Sequence, residues 1–302
     1  MHASPLRPLA ITLLIALLSF SAATARADEA EENEDDDDAV AAASGETKTQ
    51  KLAREFSDPL TTLPQIFFQD AYTPENYGTD APTNRTILRA IVPRVRKFSL
   101  LPLVQLVRPS VSLVTIPKNK GSSTRTEFGD MQLFDAFVLP WPGRKSGLLM
   151  AAGPTYVFPT ATYKTAGQRS WQVGPLFGAI YKGVPWLLTG FLIQNPISFA
   201  YTSSESQPSS TLFFQPIVLV SVSGGWYVKS ADSSWTMGWR EHTATMLPVS
   251  FGIGRVIVRE GMPPINLSVS GEWMAYRQFA AAAPQTTVRF GMTMAFPEWR
   301  PW

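Results

Sequence analysis

The stretch Thr286-Thr-Val-Arg-Phe-Gly-Met-Thr-Met-Ala-Phe296 decides the reading of this chain. Val288, Phe290, Met292, Met294 and Phe296 share one parity, and Thr287, Arg289, Gly291, Thr293 and Ala295 share the other. A strand has period two, so the stretch is a ribbon with one apolar face and one polar or small face. A strand of a soluble β-sandwich reads the same way. The recurrence of the pattern and the chain's export signal carry the argument further.

Residues 1–27 have the layout of a secretory signal: Arg7 before the apolar run 9–20, then Ala25-Arg-Ala27 as a cleavage site. The apolar run is short for a membrane anchor, and its small-residue exit favours cleavage. The mature chain is thus expected to begin near Asp28, outside the cytoplasm. Cysteine is absent, which leaves burial and backbone pairing to supply stability. No later segment offers the ~18 uninterrupted apolar residues of a helical span. A mean hydropathy of -0.01 suits an alternating barrel, half of whose strand residues face lipid.

The formal charge of +2 hides an asymmetry. Residues 28–50 hold ten acids and one base, Lys48, whereas the chain from Lys51 holds 23 basic against 14 acidic residues, a net of +9. The run Glu31-Glu-Asn-Glu-Asp-Asp-Asp-Asp38 repels itself and has nothing apolar to bury, so 28–50 reads as a disordered acidic tail. A calcium site there is disfavoured, because consecutive aspartates without a glycine turn do not wrap one ion. Residues 51–61 read as a lead-in, with a short helix expected over 49–56 and Pro59 starting a second turn. In a barrel this segment belongs at or inside the periplasmic mouth, with Leu60 and Leu63 packed inward.

Residues 62–302 alternate again and again. Strands are expected over 63–72, 84–98, 103–116, 126–139, 147–160, 171–182, 186–201, 211–221, 225–239, 243–258, 265–279 and 286–296, twelve in all. The clearest is 265–279, where Ile265, Leu267, Val269, Trp273 and Ala275 oppose Asn266, Ser268, Ser270 and Glu272. Segment 225–239 is the most polar, and 211–221 is apolar on both faces. Tight turns at 99–102, 182–185, 222–225 and 260–263 alternate with long polar loops at 73–83, 117–125, 163–170 and 202–210. An even strand count with short turns at one end describes an all-β transmembrane antiparallel barrel with periplasmic termini. Trp141, Trp171, Trp186, Trp226, Trp239 and Trp273 fall mostly near strand ends, as do Tyr72, Tyr156, Tyr181, Tyr201 and Tyr276. Interfacial girdles sit there. A pair of soluble sandwiches would need a composition break between domains, and none is visible.

Several strings resemble one family of Gram-negative outer-membrane proteins. They are Gly129-Asp130, Gly153-Pro154, Pro159-Thr-Ala-Thr162, Gly174-Pro175, Pro185-Trp186, Ser198-Phe199 and Phe214-Gln-Pro216, in that order. The family is described as transporters of the phenol-degradation (MetA-pathway) type and is often labelled bacterial "neuromedin U". The similarity spans roughly 52–297. The acidic tail and the extension Glu298-Trp-Arg-Pro-Trp302 stand outside it. The resemblance implies an outer-membrane barrel and passage of small, aromatic or hydrophobic molecules, and it supplies no catalytic residue.

The single histidine of the mature chain, His242, lies in His242-Thr-Ala-Thr245. A barrel phospholipase needs serine two residues from histidine, so its nucleophile is missing. The acids are scattered, which disfavours a metal hydrolase. An enzyme is not expected, nor is a cofactor or a nucleic-acid partner. Arg89, Arg108 and Arg289 lie within strands, and Arg at mid-membrane costs ~2–4 kcal/mol when it faces lipid. They are therefore expected to face the lumen with Asp130, Gln172, Gln194, Gln215 and Glu272, although Arg89 shares its parity with Ile87 and Ile91. Two readings fit this set: a salt-bridged network that stiffens and blocks a narrow barrel, or a weakly anion-preferring path. The expectation is accordingly a small-molecule transporter or channel, with a plugged structural or surface-binding barrel as the alternative. Its partners would be outer-membrane lipid, the barrel-assembly machinery and an unidentified small molecule.

Overall fold

The computed structural model describes residues 47–79, 81–94, 101–118, 123–139, 147–204, 206, 208–230, 232–239, 244–280 and 283–297. The signal, nearly all of the acidic tail, Trp141, His242 and the C-terminal extension lie outside them.

Twelve antiparallel strands form one closed sheet. They are β1 (Gln65–Tyr77), β2 (Thr83–Arg94), β3 (Gln105–Pro117), β4 (Thr124–Phe128 continued by Met131–Val138), β5 (Leu148–Phe158) and β6 (Ser170–Val184). Then follow β7 (Leu187–Gln194 continued by Ile197–Tyr201), β8 (Thr211–Ser221), β9 (Trp226–Lys229 continued by Trp235–Gly238), β10 (Thr245–Ile257), β11 (Ile265–Gln278) and β12 (Ala283–Ala295). Each strand pairs with its sequence neighbours, and β1 pairs with β12 from Gln65 opposite Ala295 to Tyr77 opposite Ala283. All twelve expected segments are strands. Three of them are broken in two, at Gly129-Asp130, at Asn195-Pro196 and across 230–234.

Each break has a local cause. Pro196 lacks the N–H that the ladder would use. At Gly129-Asp130 the missing ladder bonds are supplied by the loop after β5: Met131 N donates to Thr160 Oγ1 at 2.8 Å and Phe128 N to Thr162 Oγ1 at 3.1 Å. Two of the strings that carry the family resemblance thus meet at one junction. The third break follows from the composition of Lys229-Ser-Ala-Asp-Ser-Ser234, whose short polar side chains are poor strand formers.

Outward positions are apolar round the barrel. Val249, Phe251 and Ile253 on β10, Val269 and Trp273 on β11, and Val288 and Phe290 on β12 are all exposed, as the alternation requires. A row of outward aromatic rings, Phe177, Phe191, Phe214 and Trp235, crosses β6 to β9 with centroids 5.3–6.0 Å apart. Trp171, Trp186, Trp226 and Trp239 are exposed close to strand ends.

The inward face departs from a uniformly polar lumen. From β3 to β10 it carries Leu106, Phe134, Leu176, Ile180, Leu188, Leu192, Ile217, Leu219, Tyr227 and Val256, which form one buried cluster with Ala53, Phe56 and Leu60. Those last three come from the lead-in, which folds into the barrel. Helix α1 (Lys48–Ser57) starts earlier than expected because Thr47 caps it. Gln50 N donates to Thr47 Oγ1 at 3.3 Å, and Thr47 N donates to Gln50 Oε1 at 2.9 Å. This reciprocal pair satisfies two otherwise orphaned amides. Segment 211–221 has no legible polarity because both its faces are apolar: Ile217 and Leu219 pack inward against this plug, and Val218 faces outward and is exposed.

Gly254 on β10 shows how tightly the wall fits its filling. A Cβ there would lie 2.2 Å from the Tyr227 hydroxyl oxygen, so the ring packs flat on bare backbone while the hydroxyl donates to Asn266 Oδ1 at 2.7 Å.

Val249 is 58% exposed at mid-strand, and its neighbour Ser250 points inward. In a bilayer Val249→Arg is expected to impair assembly, at about 2–4 kcal/mol for a midplane charge, whereas Ser250→Arg is tolerated. Heat-modifiable gel mobility of the two refolded variants reads the difference.

Candidate functional site

The lumen divides by strand. β3 to β10 surround α1 with apolar side chains, and β11, β12, β1 and β2 present the polar remainder. Asn266, Ser268, Ser270 and Glu272 on β11, Thr287 and Thr293 on β12, and Gln65, Gln69 and Thr73 on β1 are all buried inside the barrel.

α1 is held by charge as well as packing. Arg54 Nη1 donates to the carbonyls of Lys182 at 2.7 Å and Val184 at 3.3 Å, at the β6–β7 turn. Lys182 Nζ lies 2.8 Å from Glu55 Oε1 and 2.9 Å from Asp58 Oδ2. Burial raises the Asp58 carboxyl above the usual carboxylate range in spite of that ammonium. Burial also opposes ionisation of Glu55, but Lys182 and the Thr61 hydroxyl together bring it below its ordinary value. One ammonium thus serves two carboxylates, and its partners define where the plug ends.

The second constellation joins four elements. Arg289 on β12 grips Glu272 on β11 through both terminal nitrogens, at 2.7 and 2.9 Å, the two-pronged geometry that best matches guanidinium to carboxylate. The same Nη1 donates to Ser233 Oγ at 2.8 Å, and Ser233 donates in turn to Glu272. Ser233 belongs to the break in β9 and is held from β11 and β12, two and three strands round the barrel. Beside it, Asp232 Oδ2 accepts from Gln69 Nε2 of β1 at 3.3 Å and lies 3.6 Å from Lys229 Nζ.

Arg89 and Arg108 form the third group. The Arg108 guanidinium stands 4.1 Å from the Phe134 ring centroid, and that of Arg89 stands 5.1 Å from the Phe67 centroid. Pairing of Arg89 with Phe67 across β1–β2 puts Arg89 inside with Arg85, Ile87 and Ile91, which answers the parity ambiguity.

The other expected residues scatter. Gln172 donates to Ser170 at 3.0 Å, and Gln194 accepts from Thr155 at 3.2 Å. Gln215 lines a small cleft with Ser57, Lys229 and Asp232. Asp130 takes part in neither constellation. Its carboxylate accepts from the amides of Ala161 at 3.1 Å and Gln168 at 2.5 Å and anchors the β5–β6 loop. Sequence reading missed Arg85, Lys229 and Asp232. The Lys-x-x-Asp spacing inside the most polar strand was the signal for the latter two.

Among solved structures, the barrel is similar to the COG4313 outer membrane channel from Pseudomonas putida F1. The TM-score is 0.54 at 10% identity, with 80% of this chain and 98% of that one covered. A KdgM porin gives a TM-score of 0.42 at 7% identity, covering 77% and 99%. No family model matches the chain, and no curated protein matches it significantly. At these identities the likeness speaks to the fold: a closed outer-membrane-type barrel.

Glu272→Ala is expected to lower stability by about 3–5 kcal/mol, because it leaves the Arg289 charge buried without its partner. The double variant Glu272→Ala/Arg289→Ala is expected to recover part of that loss. Urea-unfolding midpoints of the three proteins in detergent measure both effects.

Proposed function

We propose that this chain is a channel of a Gram-negative outer membrane that passes a small organic molecule, aromatic or hydrophobic in character. The carrying observation is the contrast between its two surfaces. An apolar band surrounds the closed sheet, while Arg85, Arg89, Arg108 and Arg289 all face inward. Arg108 is buried and Arg89 half-buried without a carboxylate partner, and a barrel meant only to be filled would gain nothing from holding guanidinium groups there, at several kcal/mol for an uncompensated buried charge. The outward band and the secretory signal support outer-membrane residence, and the fold likeness agrees with it. The order of short strings supports membership of the phenol-degradation type family.

A second reading has its own observation. α1 and the residues after it fill the short-turn end with a dry cluster that includes Phe56 and Leu60 at 7% and 0% exposure. A barrel so filled can serve as a structural or surface-binding protein. Displacing this plug would be part of any transport cycle under the first reading.

Planar-bilayer recording separates the two. A channel gives ion currents, and its inward guanidinium groups draw anions within a low-dielectric wall. Arg85→Gln is then expected to move the zero-current potential towards cation preference in a low-salt gradient, where screening is weakest. Silence from correctly folded protein at all voltages would favour the plugged barrel.

A further inference from the structure

Three of the inward arginines are left over once the lumenal ion pairs are assigned. Glu272 is taken by Arg289, and Asp232 lies against Lys229 and Gln69. Arg85, Arg89 and Arg108 make no hydrogen bond or ion pair with a carboxylate among the described residues, and the buried Nε of Arg89 has no partner at all. They sit together. Arg85 and Arg289 both lie opposite Ala71, so one small side chain separates them across β1. Arg89 follows two inward positions along β2, and Arg108 is on the adjacent β3. The row borders the apolar half of the lumen: Ile91 and Leu106, inward neighbours of Arg89 and Arg108, are 5% and 1% exposed. Phe67 and Phe134 cover one face of two of the guanidinium groups and leave their N–H edges uncommitted.

We propose that this row binds a carboxylate carried on an apolar stem. Guanidinium forks match a carboxylate two bonds at a time, and each such charge-assisted bond is strongest where water is scarce. The stem would lie against Ile91, Leu106 and the two rings. A hydrated inorganic anion would have to shed its water beside those same groups and receive nothing in exchange. Two resident carboxylates act on the row: Asp130, whose field reaches Arg85 while its hydrogen bonds go to the Ala161 and Gln168 amides, and Asp232. The field of Asp232 reaches Arg89 and Arg108, yet its hydrogen bond goes to Gln69 and its ion pair to Lys229, so it moderates the row without occupying it. This assignment names a ligand class for the lumen of the proposed channel. It rests on that reading only in that solutes must reach the lumen.

The test is calorimetric titration of the full mature protein in non-ionic detergent at low salt, with octanoate, octanol and acetate as probes. Octanoate is expected to bind at least about tenfold tighter than either comparison, and Arg89→Gln/Arg108→Gln to remove about that factor. Arg85 is exposed and unpaired, so Arg85→Gln removes one fork at little risk to folding and is expected to weaken octanoate severalfold. Asp232→Asn is expected to tighten octanoate severalfold, a gain that loss of fold cannot imitate. Equal affinity for octanol, equal affinity for acetate, or octanoate binding unchanged in the arginine variants would overturn the assignment. Octanoate bound by a protein that carries no current would sink the channel reading and leave this site standing. Current without octanoate preference would do the reverse.

Discussion

The pairing of β12 with β1 is the constraint on which the rest depends. An open sheet leaves a row of N–H and C=O groups at each edge, and a hydrocarbon environment offers them nothing. Here the last strand closes on the first along almost its whole length. Closure then obliges the strands to tilt and the alternation to sort side chains into an outer and an inner set. With twelve strands the inner space is narrow enough for long side chains and one short helix to fill much of it. The outward apolar band, the filled short-turn end and the inward arginines are consequences of one closed sheet enclosing one small volume.

What fills that volume is divided, and the division has a physical origin. α1 enters from the short-turn end and lies against β8 and β10, with its following residues reaching Gly178 and Leu192. The strands it touches carry aliphatic residues inward, because a helix that turns Ala53 and Phe56 inward, followed by Leu60, must be met by apolar surface. The strands it does not touch keep polar side chains. Two devices hold this arrangement: the Lys182 ammonium between Glu55 and Asp58, and the Ser233 hydroxyl held between Arg289 and Glu272. The first pins the plug to the wall. The second ties the break in β9 to β11 and β12.

Most of the fold was legible in the sequence because period-two alternation is a local signal. All twelve strands could be placed, and the outward set on β10, β11 and β12 followed from parity alone. The interruptions were less visible. A break such as Asn195-Pro196 depends on which neighbour supplies the missing bonds, and that neighbour is distant in sequence. The inward apolar set was illegible for a similar reason: a strand apolar on both faces gives no parity signal until the lead-in helix is known to lie inside. Of the candidate residues, Arg289 with Glu272 and Arg89 with Arg108 proved to be neighbours. Asp130 also caps a junction whose other half lies thirty or so residues later, which no local signal in the sequence could show. Asp232 and Lys229 were overlooked. They were read as a weak strand, although their polar surroundings mark a segment that leaves the wall.

The claim of closure can be checked directly, since the chain contains no cysteine. Thr73 of β1 and Thr287 of β12 are buried, and their hydroxyl oxygens lie 2.7 Å apart, so cysteines at these positions would stand within reach of disulfide geometry. The measurement is oxidative cross-linking of the Thr73→Cys/Thr287→Cys variant in membranes, read as loss of titratable thiol and altered mobility of the denatured single chain. Closure predicts rapid and complete intramolecular cross-linking. Two thiols that stay free in the folded protein, or that link only between chains, would contradict it.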